Sequence, residues 1–157
     1  MKQNSTKSLK WLTGVVGFFG LFTVICLIIE TLGFFFDIPV RQKIVWIDDM
    51  EIMQTSIAIL RLLGGIVLFC SIIVFMIKSI NALNKGVLFP RVNIKLLFIA
   101  AGSAFVFLFC QSNIDMVLGK SVLHLQVDEI LVPAVICIFA IIYRVAVQVS
   151  EENSLTI

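Results

Sequence analysis

Charged residues are scarce in this chain, at 14% of the total, where a soluble domain carries about 25%. Histidine is reduced to His124, which supports neither a bis-histidine haem nor a zinc site. The cysteines, Cys26, Cys70, Cys110 and Cys137, fall one to each apolar run, and no two form a C-x-x-C pair. That argues against paired-thiol redox chemistry and a cysteine-held metal, and favours small buried hydrophobes. The phosphate-cradling G-x-x-x-x-G-K-[ST] and the dinucleotide-binding G-x-G-x-x-G patterns are missing too. The acidic pairs Asp48-Asp49 and Glu151-Glu152 read as solvated loop charges. The chain therefore lacks an enzyme's equipment, and no catalytic residue, cofactor or metal is expected.

What is abundant is apolar surface. Hydrophobic residues make up 60% of 157 residues, more than a soluble fold of this size can hide, so lipid must solvate part of it. A net charge of +2, dispersed along the chain, argues against direct nucleic-acid binding. The basic residues inform instead through the loops they occupy.

The organising stretch is Lys78–Lys95, KSINALNKGVLFPRVNIK, with Lys78, Lys85, Arg91 and Lys95 and no acidic residue. Apolar runs flank it on both sides. Short loops rich in Lys and Arg stay cytoplasmic, so this reads as a cytoplasmic hinge between two spans. Spans are expected near 11–33, 55–77, 94–114 and 130–149, each about the 20 residues needed to cross the hydrocarbon core. The first is too long for a signal peptide and no small-residue cleavage site follows it. Gly14, Gly17 and Gly20 recur along one flank of it, where a neighbouring helix can approach. Loops 37–54 and 115–129 then lie outside. Residues 122–128 partly alternate apolar and polar, which allows a short strand paired with Lys43–Ile47.

Charge sets the orientation. Lys2, Lys7, Lys10, Lys78, Lys85, Arg91, Lys95 and Arg144 fall on the hinge side, and only Arg41, Lys43 and Lys120 on the other. Both termini are therefore expected in the cytoplasm.

Ionisable residues inside spans are functional candidates by default. Counting 1.5 Å per residue puts Glu30 and Asp115 near the outer edge of the core and Arg61 roughly 9 Å below the outer start of its span, so the three can meet. Two readings stay open: Arg61 pairs with a carboxylate, or it snorkels outward alone while Glu30 is wet. At the other end, Gly86 can supply a turn with positive φ, and Phe89 ahead of Pro90 can anchor between helix ends. Lys85 and Arg91 would then lie near Glu151 and Glu152.

Two stretches resemble a known family. Asn84-Lys85-Gly86-Val87-Leu88-Phe89 followed by Asn93 is similar to the hinge of the bacterial domain of unknown function 2975 membrane proteins. Tyr143-Arg144, Glu151-Glu152 and Leu155-Thr156-Ile157 resemble that family's ending. Ala146 and Ser154 depart from it, standing where the family often has Gly and Asp. The resemblance implies a four-span protein of a bacterial inner or plasma membrane with no established activity. It also implies a small helix-turn-helix regulator as a frequent genomic neighbour, and hence membrane-linked regulation.

The expectation is one all-α membrane domain over 1–157, a four-helix bundle with short loops and a possible small strand pair outside. Its partners are the bilayer and a cytoplasmic protein docked on Lys85, Gly86, Phe89, Arg91, Asn93, Glu151 and Glu152. The alternative is a small transporter or channel subunit. The oligomeric state does not follow from the sequence.

Overall fold

A computed structural model describes residues 2–36, 44–120 and 122–155. Its helices are α1 (Lys2–Phe35), α2 (Glu51–Asn84), α3 (Val92–Ser112), the short α4 (Ile114–Val117) and α5 (Val127–Leu155). Four of them are long and apolar enough to cross a bilayer, over Lys10–Phe35, Glu51–Asn84, Val92–Ser112 and Val127–Asn153. The chain is an all-α, multi-pass membrane protein built as a four-helix bundle. α1, α2 and α5 run past the expected spans at both ends, while α3 keeps the expected length and is shifted two residues towards the N-terminus.

Packing follows chain order. α2 lies against α1 and α3, α3 against α5, and α4 tucks beneath α2 and α3. No helix contact joins α1 to α5 among the described residues, so the bundle is open along that seam. Membrane helices gain little from burying apolar surface against one another, so close approach at small residues decides which faces meet. The glycines of α1 do not serve this purpose. A Cβ added at Gly14 or Gly17 would meet nothing within 4 Å, and at Gly20 it would make ordinary contact with Phe69 at 3.4 Å. The close approach lies at Gly64-Gly65 on α2. A Cβ on Gly64 would stand 3.0 Å from the Phe107 backbone nitrogen, and one on Gly65 would stand 2.7 Å from Leu27. On the facing helix, Ala100, Ala101, Ser103 and Ala104 are buried.

This gives a direct test. Gly64→Val is expected to destabilise the protein in detergent by about 1–3 kcal/mol, because backbone cannot yield as a side chain can. Gly14→Val, which meets open space, should leave the melting temperature unchanged. Equal effects from the two would mean that α2 and α3 do not pack this closely.

Two helix ends close in the same way, each needing a positive φ. After α2, Gly86 (φ 82) lets its N–H donate to Leu83 O at 3.1 Å while Val87 N–H donates to Ala82 O at 2.9 Å. After α4, Gly119 (φ 94) plays that part, with Gly119 N–H to Met116 O at 3.2 Å and Lys120 N–H to Asp115 O at 3.0 Å. Both are Schellman ends, satisfying carbonyls that helix termination orphans. The first reverses the chain into the hinge, as the sequence implied for Gly86.

The expected strand pair is not formed among the described residues. Lys43 lies outside them, and Ile44–Ile47 and Val122–Gln126 are irregular. The reason is local. Asn113 takes both backbone groups of His124, its Nδ2 donating to His124 O at 2.8 Å and its Oδ1 accepting from His124 N–H at 2.6 Å. The loops are joined instead through Val45 N–H to Val117 O at 3.2 Å. Gln54 clamps them further, donating to Val45 O and Met116 O at 2.8 Å each and accepting from Ile47 N–H at 3.2 Å.

Candidate functional sites at the two ends of the bundle

At the end carrying the long loops, Arg61 is the centre. Its side chain is only 7% exposed, while that of its partner Glu30 is 47% exposed. Nη2 donates to Glu30 Oε2 at 2.7 Å, linking α2 to α1, and Nε donates to Gln111 Oε1 at 2.6 Å, linking α2 to α3. Of the two sequence readings, pairing holds for Glu30. Asp115 does not join. It pairs with Lys120 at 2.6 Å, because the Gly119 turn folds Lys120 back over α4.

Glu129 is what the sequence reading missed. Its place beside Asp128 at a helix start suggests a solvated charge favoured by the helix dipole. Yet α5 begins at Val127 and Glu129 is 0% exposed. Among the described residues neither carboxyl oxygen has a hydrogen-bond partner, and Arg61 Nη1 is likewise buried without one. The helical start at Val127 also places Pro133 in the second turn, inside the helix rather than in its first turn. Lacking an N–H, Pro133 cannot serve the Glu129 carbonyl four residues back. Among the described residues, no group of three His, Cys, Asp or Glu side chains is placed to hold a metal.

At the hinge end the docking candidates do come together. Arg91 grips Glu151 with two parallel bonds, Nε to Oε1 at 2.6 Å and Nη2 to Oε2 at 2.5 Å. The hydrogen bond to Glu151 and its charge push the Arg91 pKa still higher. Phe89 meets Tyr143 edge-to-face at 5.5 Å, and Tyr143 meets Phe75 of α2 at 5.9 Å. Buried Asn93 donates through Nδ2 to Ser79 Oγ at 2.8 Å and to Tyr143 Oη at 3.2 Å. So α2, α3, the hinge and α5 share one polar and aromatic knot, in which Ser79 is a partner that the sequence did not point to and Tyr143 one that it marked only through the family resemblance. Lys85 is exposed on the same hinge. Glu152 is exposed one residue beyond Glu151.

No family model, curated protein or solved structure matches this chain.

Proposed function

We propose that this is a regulatory interaction protein of a bacterial inner or plasma membrane. Its hinge and C-terminal segment form one cytoplasmic docking surface for a protein partner. The observation that carries this reading is the two-pronged Arg91–Glu151 contact. Two exposed chain segments 60 residues apart are held in fixed register by a geometry suited to specificity. Phe89, wedged on Tyr143, fixes the hinge from the membrane side. The family resemblance supports a partner of the small helix-turn-helix regulator class. On this reading the protein itself does no chemistry and does not touch nucleic acid.

The test is to delete residues 151–157 and, separately, to make Phe89→Ala, in protein purified from native membranes. Membrane insertion should survive both changes, while the same cytoplasmic partner is lost from both preparations. Wild-type partner recovery in each variant would remove the docking surface.

The buried, unpartnered polar atoms of Glu129 and Arg61 favour a second reading, a small transporter or channel subunit, since such groups mark polar paths through membrane bundles. Against it, the described charges of that node cluster at one end of the bundle only.

A further inference from the structure

A groove of about 680 Å³ runs along α5 beside the hinge. Leu88 and Phe89 form one wall, Ile141 and Val145 the apolar floor, and Ser150 and Asn153 the polar mouth. From Ile141 to Asn153 it is about 18 Å long at 1.5 Å per residue, close to half of a hydrocarbon core of about 30 Å. Length and polarity thus match one leaflet, apolar towards the membrane centre and polar at its surface. Charge is uneven in the same sense. At the loop end, Arg61 and Lys120 have carboxylate partners. At the hinge end Lys78, Lys85, Lys95 and Arg144 are exposed, with no ion-pair partner among the described residues. Lys85 belongs to the same turn that carries the groove wall.

We infer that this groove is a binding site for one anionic phospholipid of the leaflet at the hinge end. An acyl chain lies along Ile141–Val149, and the phosphate sits at the Ser150–Asn153 mouth, held by Lys85. Lipid of any charge would wet an exposed apolar face. Of the hinge bases Arg91 is taken by Glu151; the exposed Lys85, on the turn that carries Leu88 and Phe89, selects an anionic headgroup, with a lysine near the membrane surface contributing about fivefold in affinity. Ile141, Ile142, Val145 and Val149 are exposed, so this face of α5 is accessible from the bilayer. The site shares Lys85 and Phe89 with the proposed docking surface but does not depend on it.

The test uses the full chain alone in phosphatidylcholine vesicles, with Trp11 and Trp46 replaced by Phe and a single reporter, Val149→Trp, in the groove. Either brominated phosphatidylglycerol or brominated phosphatidylcholine is added at about 10 mol %, low enough for preference to show. The brominated anionic lipid should quench the reporter several-fold more strongly. Lys85→Gln should bring the two lipids to within about twofold of each other. A reporter at Ile77→Trp, exposed on α2 at a similar distance from the hinge, should show no preference. Equal quenching by both lipids at Val149→Trp would overturn the site. So would a preference of the same size at Ile77→Trp, which would mean general enrichment of anionic lipid around the protein. Circular dichroism of each variant confirms that helix content is kept. No cytoplasmic partner is present, so the docking reading is not at stake in the result.

Discussion

Arg61→Leu is expected to lower unfolding free energy in detergent by about 3 kcal/mol, the cost of breaking a buried charge pair from one side. Two carboxylates are affected unequally. Glu30, half exposed beside the α1–α2 contact, loses a partner but keeps water. Glu129 is fully buried, with neither carboxyl oxygen hydrogen-bonded among the described residues, so loss of a cation near it would leave its charge uncompensated. Removing that second charge should therefore help. Glu129→Gln in the Arg61→Leu background is expected to return about 1–2 kcal/mol, whereas Glu30→Gln in wild type, which leaves the buried Arg61 guanidinium without its carboxylate, should cost about 1–3 kcal/mol. Thermal or denaturant unfolding of the single and double variants makes a double-mutant cycle. Strictly additive losses for Arg61 and Glu129 would show that the two charges do not act on each other.

That cycle probes the part of the molecule least legible in the sequence. Depth counting placed Glu30 near the outer edge and Arg61 roughly 9 Å in, near enough to meet as they do, because a helix converts residue number into height with little error. The same counting placed Asp115 there, and the height was not the problem. A four-residue helix and the positive φ of Gly119 returned Lys120 to Asp115, a turn that apolar periodicity does not encode. Gln111 escaped notice as a neutral side chain in an apolar run, although its carbonyl is what Arg61 Nε needs. The signal available for it was spacing: Gln111 sits four residues before Asp115, on the same face. For Glu129, an acidic pair at a helix start looks solvated, and only the earlier start of α5 turns it inward.

At the hinge end the sequence was more informative, because turns constrain chemistry. Gly86 was readable as a positive φ, and Phe89 before Pro90 as an anchor. Arg91 near Glu151 followed from short connections between helices. The knot of Asn93, Ser79 and Tyr143 was not readable, since its members are far apart in the chain and each has an ordinary role in isolation. The glycine spacing in α1 misled. Glycine tells where a helix can be approached, and the approach is made at Gly64-Gly65, by Phe107 of α3 and Leu27 of α1.

All-or-none labelling is expected from the second large-effect prediction, which concerns which way the bundle faces. From the hinge-side excess of Lys and Arg in short connections, Lys85 is expected in the cytoplasm and Asp48, in the acidic turn ahead of α2, outside. Docking by a cytoplasmic partner and binding of an inner-leaflet anionic lipid both require this orientation. The decisive measurement places single cysteines at Asp48 and Lys85, both exposed, in a background without Cys26, Cys70, Cys110 and Cys137. Intact cells are treated with a membrane-impermeant thiol reagent. Labelling of Asp48→Cys at once, and of Lys85→Cys only after permeabilisation, is the result expected. Labelling of Lys85→Cys on intact cells while Asp48→Cys stays protected would contradict it.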